Sequence, residues 1–387
     1  MKPDNRGTWA IAAMVLLYVL GGSVFAVLPL LVGATVELLG FSGKQAGLIG
    51  AADMLGATLS ALCVSLIVPR GRWRLLIYSG LLLLMLANAL AGLAQHFSAL
   101  LLSRLVGGLG EGVVLTIATV SIAETRRPDR VYGLAAAGLV AYGSPALYLM
   151  PSLLSAHGLR GVFWLLAALT AIATPLVRYM PNAARLSQTS PAAVTRSGIS
   201  TPSVIGLAGV FAYFTAQGGV WAYLDRIGTA HHIEAANIGM ALALSAIAGL
   251  LGALLASWLD VRYGRLRPLF CAALGTTVAL LTLNESAAFA VFMLMTALNN
   301  FCWNVSIPYQ LGALAQIDST RRTVALSGVL SNAGLAAGPV VAAAIISERS
   351  VQNVAWMGMV FTGLSLLLFA SILMRQERAT VVRFTAT

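Results

Sequence analysis

Twelve predominantly apolar runs, each long enough to cross a bilayer, follow one another along this chain of 387 residues. A helix needs about 20 such residues to span the hydrocarbon core. In lipid, only structures that satisfy their own backbone groups can span. The runs lie at about 8–34, 45–68, 75–95, 98–123, 131–156, 161–180, 203–224, 236–259, 268–284, 286–313, 324–347 and 353–374. They predict an all-α membrane protein of twelve transmembrane helices. Charged residues make up 10% of the chain, against about 25% in soluble domains. The first run is too long for a signal peptide and lacks a small-residue cleavage site.

The basic residues set an orientation, because cytoplasmic loops are enriched in Lys and Arg. With both termini in the cytoplasm, nineteen of the 24 Lys and Arg fall on that side. Lys44, Arg160, Arg226 and Arg349 fall outside, and Arg104 lies within a span. The net charge of +11 is therefore topogenic. It suits anionic lipid headgroups and argues against a nucleic-acid partner. The expected setting is the inner (plasma) membrane, as a multi-pass monomer. Cys63, Cys271 and Cys302 all sit in apolar runs. They read as small buried hydrophobes with neither metal spacing nor a disulfide framework.

The chain repeats itself. A shift of 195 residues carries Arg126 and Arg127 onto Arg321 and Arg322, Gly133 onto Gly328 and Gly143 onto Gly338. A shift of 192–193 carries Arg70, Gly71, Arg72 and Arg74 onto Arg262, Gly264, Arg265 and Arg267. The matches lie in equivalent loops and spans of two six-helix, pseudo-symmetric halves. A parallel repeat of this kind places substrate near the midplane between the halves. The expected division is an N-terminal half at 1–180, a cytoplasmic linker at 181–202 and a C-terminal half at 203–387.

The loop after the eighth span contains Ala256, Asp260, Arg262, Gly264, Arg265 and Arg267. An acid at a helix C-terminus is unfavourable with the helix dipole unless basic groups or another helix N-terminus face it. Gly264 permits a sharp turn. Asp260, Arg262, Gly264 and Arg265 can thus latch two helices in one conformation and release them in another. The first-half copy lacks the acid. This loop resembles the signature of the major facilitator superfamily, Gly-x-x-x-Asp-x-x-x-Gly-Arg-x-Arg/Lys, with Ala256 in place of the leading Gly. Arg104, Gly108 and Gly110 resemble the family's Arg-x-x-x-Gly-x-Gly motif in helix 4. Gly334, Gly338 and Pro339 resemble the Gly-x-x-x-Gly-Pro motif of its drug:proton antiporters. The resemblance implies the major facilitator fold and secondary active transport by alternating access. It implies no bound cofactor, with the proton gradient as energy source.

Asp53, Arg104 and Glu111 lie deep within spans, where a charge costs roughly 2.5–3.5 kcal/mol on insertion scales. Counted from the outer ends of their spans, Arg104 is roughly 8 Å deep, Asp53 roughly 12 Å and Glu111 roughly 18 Å. Arg104 and Glu111 are seven residues apart and share a helix face. Burial favours a neutral acid and an adjacent guanidinium a charged one. Acids poised between these influences can load and release a proton, the role expected of Asp53 and Glu111 beside Arg104. The alternatives are a static ion pair that fixes helix packing and direct contact with a cationic substrate. The other eleven acids are expected at span ends, in loops or in tails. His96, His157, His231 and His232 are expected in outside loops.

No charge is expected mid-span in the second half, which is polar instead. The seventh span offers Tyr213, Gln217, Trp221 and Tyr223, and the tenth Asn299, Asn300, Trp303, Asn304 and Gln310, with Pro308 expected to break the helix. Aromatic walls with a few amides suit an amphipathic organic molecule. Gln217, Trp221, Asn300, Trp303, Asn304 and Tyr142 are candidates for a substrate cavity. Bonds between helices are the other use for such amides. Tyr18, Phe25 and Tyr148 are weaker candidates.

The expected function is proton-coupled efflux of a small amphipathic organic molecule. Proton-coupled uptake of a small organic anion, with Arg104 as anchor, is the alternative within transport. A non-transporting receptor or scaffold is the alternative outside it. No nucleotide loop, metal spacing or nucleophile–base arrangement points to an enzyme.

Overall fold

The computed structural model describes residues 5–67, 72–181, 200–285, 288–317, 322–346 and 351–385, and no strand occurs among them. Helices α1 (Asn5–Gly21), α2 (Ser23–Leu39), α3 (Gly43–Ile67), α4 (Trp73–Ala91), α5 (Phe97–Ala123) and α6 (Pro128–Ala173) form the first half. Helices α7 (Thr201–Ala230), α8 (Ala235–Leu259), α9 (Leu266–Glu285), α10 (Phe289–Ile317), α11 (Arg322–Ile345) and α12 (Asn353–Thr385) follow.

Eleven helical stretches among the described residues are long and apolar enough to cross a membrane. One of them contains α6, where Gly158 adopts φ 60° and ψ −171° inside the helical run. Only glycine enters that region without strain. The break separates the expected fifth and sixth spans, which brings the count to twelve. The expected loop between them shrinks to little more than this one residue. The first span is likewise two helices, meeting at Gly22.

Pro308 does not break its helix: α10 runs unbroken from Phe289 to Ile317. Proline removes one N–H, but interior neighbours keep membrane helices intact around it. Helix α7 also outruns the expected seventh span, ending at Ala230. Asp225 is consequently buried inside the helix, 5% exposed, rather than placed at a span end. Of the cysteines only Cys302 is buried; Cys63 and Cys271 are exposed on the helix surfaces.

The chain divides into two compact units, Met1–Gln188 with Glu234–Ala243, and Thr189–Ile233 with Leu244–Thr387. The first unit packs around Leu17, Trp73, Ile77, Leu84, Ile117 and Ile122. Arg74 Nε donates to the Met180 carbonyl at 2.7 Å, tying the start of α4 to the end of this core. The second packs around Leu207, Leu269, Cys302, Ala313, Phe369 and Leu373. Leucines such as Leu90, Leu102, Leu254 and Leu367 face outward, as expected where the solvent is lipid.

Close helix contacts are made by glycine. In the first unit, a Cβ on Gly108 of α5 would meet the Asp53 backbone of α3, and one on Gly56 of α3 would meet the Leu105 carbonyl of α5. In the second unit, Gly334 and Gly338 of α11 face Phe211, Thr215 and Gly219 of α7. The Gly-x-x-x-Gly-Pro segment is thus the surface on which α11 meets α7. Small residues let backbones approach this closely in membranes.

Candidate functional site

The glycine contact between α3 and α5 brings the three deep charges together. Arg104 and Glu111, both on α5, are 2% and 1% exposed, and Asp53 on α3 is fully enclosed. Arg104 Nη1 lies 3.6 Å from Asp53 Oδ1. The Glu111 carboxyl is within electrostatic range of the Asp53 carboxyl and of Arg104. Asp53 therefore lies close to a guanidinium and within electrostatic range of a second acid.

Arg104 is held by two residues that sequence reasoning missed. Its Nη2 donates to Asn88 Oδ1 on α4 at 2.8 Å. Its guanidinium carbon lies 4.9 Å from the centroid of the Phe163 ring on α6, a cation–π distance. The signal for Asn88 was present, since it is the sole amide in the interior of its apolar run. Phe163 carried no signal, because an aromatic in an apolar run is ordinary.

Both Asp53 carboxylate oxygens, Glu111 Oε1 and Arg104 Nε and Nη1 have no hydrogen-bond partner among the described residues. The cluster is therefore compact and incompletely bonded. With both acids ionised it would carry two negative charges against one positive. A buried net charge of this kind is strongly disfavoured, and one proton cancels it.

Tyr142 belongs with this cluster. It lies on α6, within electrostatic range of Glu111. Tyr148, by contrast, faces outward at 57% exposure.

In the second unit the polar side chains bond between helices. Asn299 Nδ2 donates to Gln217 Oε1 at 3.4 Å, joining α10 to α7. Asn300 Nδ2 donates to Ser245 Oγ on α8 at 3.4 Å. Asn304 Nδ2 donates to the Asn300 carbonyl at 2.9 Å and to Asn300 Oδ1 at 3.0 Å. A Cβ on Gly249 of α8 would collide with this pair of amides. The Trp221 and Trp303 rings meet edge to face, with centroids 6.4 Å apart. Asn299, which the repeat aligns with Arg104, thus also bonds an amide, but has no acid beside it among the described residues.

The loop after α8 is ordered by left-handed residues, Asp260 at φ 49° and Gly264 at φ 71°. Arg265 Nη1 donates to Gln316 Oε1 on α10 at 2.6 Å. Arg262 lies over the Trp258 ring at 5.6 Å. Asp260 takes part in no ion pair among the described residues. The first-loop residues Arg70 and Gly71 and most of the expected linker lie outside the described residues. His96, His157 and His232 are exposed, and His231 Nε2 lies 3.0 Å from the Leu283 carbonyl. No metal-holding group of three or more His, Cys, Asp or Glu occurs among the described residues.

A helical membrane protein in two units, with a buried charge cluster in one and an amide–aromatic network in the other, defines a class of polytopic carrier. The sequence matches the Major Facilitator Superfamily model twice, over residues 10–206 and 206–385. The chain belongs to the Major Facilitator Superfamily and is a multi-pass secondary transporter. Among solved structures it is similar to a bacterial homologue of the human lysosomal transporter Spinster, in its inward-facing and unoccupied conformation. The TM-score is 0.75 at 15% identity, covering 97% of this chain and 98% of that one. It is also similar to the nucleoside transporter NupG, with TM-score 0.76 at 11% identity, covering 94% and 98%. At such identities the likeness concerns the fold. No curated protein matches the sequence.

Proposed function

We propose that this transporter couples the efflux of a small amphipathic organic molecule to proton entry. The observation that carries the reading is the shared burial of Asp53, Arg104 and Glu111, with Arg104 3.6 Å from Asp53 and Glu111 within electrostatic range of both. Two acids and one guanidinium form a set that one proton neutralises. Alternating access would expose the acids to each side in turn, and hydration on exposure favours the charged forms. Tyr142 adds a hydroxyl within electrostatic range of Glu111. The Gly-x-x-x-Gly-Pro surface between α11 and α7 supports the antiporter branch.

Gln217, Trp221, Asn300, Trp303 and Asn304 supply the substrate surface in this reading. The two tryptophans offer apolar walls and the amides a few directional bonds. The Arg265–Gln316 bond supports a latch around Asp260, Arg262 and Gly264. The protein works as a monomer in the inner membrane, with both termini cytoplasmic and the two halves joined at 181–202. Its energy comes from the proton gradient without a bound cofactor.

Uptake of an organic anion is the second reading. It draws on Arg104, whose Nε and Nη1 have no acceptor among the described residues.

The test is transport in proteoliposomes under an imposed pH gradient, with cationic, neutral and anionic amphipathic substrates. Efflux coupling predicts proton movement in exchange for substrate, lost in Asp53→Asn and in Glu111→Gln. If both variants couple normally, the proton role is wrong. Proton entry together with an anion would establish the second reading.

A further inference from the structure

The second unit contains a row of buried polar atoms that its own side chains leave unpaired. Thr296 Oγ1, Asn299 Oδ1 and Gln310 Oε1 on α10, Thr276 Oγ1 on α9 and Thr362 Oγ1 on α12 have no hydrogen-bond partner among the described residues. Each of these side chains is 3% exposed or less. On α10, Thr296, Asn299, Ser306 and Gln310 follow heptad spacing and share one face. A buried group left unbonded loses its full desolvation free energy. Native interiors therefore meet such groups with a partner, which is often water.

A cavity of about 10 Å³ lies at the Ser306–Gln310 end of this face, lined by Tyr213, Ser306, Gln310, Thr362, Ser365 and Phe369. That is close to the space one water requires, and a buried water needs two to four polar partners. Gln310 Oε1 can only accept, and Thr362 Oγ1 can donate or accept. Ser306 Oγ already donates to the Cys302 carbonyl at 3.0 Å, and Tyr213 OH to the Trp303 carbonyl at 3.4 Å. Their oxygens keep lone pairs for a further donor. The polar lining is neutral, so a cation would find no compensating charge. The remaining wall is apolar, formed by residues such as Leu269, Leu366 and Phe369.

We propose that this cavity is a water site, whose water donates to Gln310 Oε1 and accepts from Thr362 Oγ1, joining α10 to α12 beside Tyr213. Its place in the repeat is informative, because the 195-residue shift carries Glu111 onto Ser306. Where the first half buries a carboxyl, the second buries a hydroxyl with a bound water. The site belongs to the interior of one half and is independent of the proposed direction of transport.

The test is X-ray hydroxyl-radical footprinting of the full-length protein in nanodiscs, with rapid mixing into H2(18)O. Bound water generates radicals in place, so Tyr213 should be oxidised despite its burial and should retain unlabelled oxygen at short mixing times. Tyr223, on the same helix and fully buried, is the control. Oxidation of Tyr213 no greater than that of Tyr223 would overturn the site. A second measurement uses the near-isosteric Thr362→Val. Loss of a water partner should lower Tm by about 2–4 °C, with Thr362→Ser close to wild type. A Tm unchanged or raised by Thr362→Val means that the threonine hydroxyl was dry, and also overturns the proposal.

Discussion

Arg104 Nη1 approaches Asp53 Oδ1 at 3.6 Å, a distance at which the charges interact strongly but do not share a hydrogen bond. The shorter bond of the guanidinium, 2.8 Å, goes to the neutral Asn88. Arg104 is thus anchored by an amide and leaves its acid partner comparatively loose. A carboxyl that must change its protonation state during a cycle benefits from that arrangement.

Asp53→Asn removes the carboxylate that pairs with Arg104 at 3.6 Å and leaves Glu111 as the one acid of the cluster. Removing one partner of a buried pair costs about 3–5 kcal/mol, so the variant should melt well below wild type. The double variant Asp53→Asn/Arg104→Gln should recover much of that stability while remaining uncoupled. Melting shifts paired with proton flux in proteoliposomes measure both. Recovery of stability together with coupling would remove Asp53 from the proton path.

Asn88→Leu removes the amide that anchors Arg104. A hydrogen bond to a charged group contributes about 1.5–3 kcal/mol, and here its loss frees the guanidinium to close on Asp53. Proton-coupled transport should fall roughly tenfold or more, which corresponds to about 1.4 kcal/mol in the barrier. The pH dependence of the rate should shift, whereas a purely structural asparagine would lower the amount of folded protein and leave the pH profile in place.

Gly108→Ala places a methyl group against the Asp53 backbone. The helices must separate, at about 1–3 kcal/mol for an overpacked contact, and Asp53 must withdraw from Arg104. Both thermal stability and transport should drop. A Cβ on Gly133 would meet nothing within 4 Å, so Gly133→Ala should be neutral or stabilising by up to about 1 kcal/mol. Size-exclusion thermostability of the two variants makes the comparison.

Trp303→Ala removes one ring of the edge-to-face pair with Trp221. If these rings bound an amphipathic substrate, KM should rise several-fold while the number of protons moved per substrate stays constant. A change in stoichiometry with unchanged KM would assign Trp303 to coupling instead.

Arg265→Ala should alter the transport rate more than Asp260→Asn. Arg265 bonds Gln316 on α10 at 2.6 Å, whereas Asp260 is exposed and outside any ion pair among the described residues. Initial rates for both variants at equal protein density decide the order.

Much of this protein was determined by its sequence alone. The number of spans follows from run length, the repeat from two nearly constant offsets, and the burial of Asp53, Arg104 and Glu111 from their place along apolar runs. These are one-dimensional properties, because bilayer thickness and the cost of a buried charge act along the helix axis. Tertiary structure decided lateral matters. It chose Asn88 and Phe163 as the partners of Arg104, set Asn299 against Gln217, brought Tyr142 within electrostatic range of Glu111 and drew Asp225 into α7. Those choices depend on helix rotation and on where backbones touch. In lipid, the outward face of a helix is as apolar as its inward face, so hydrophobic periodicity loses its power to fix rotation. The glycines at 56, 108, 334 and 338 fix it instead, through contacts that exist only once two helices meet.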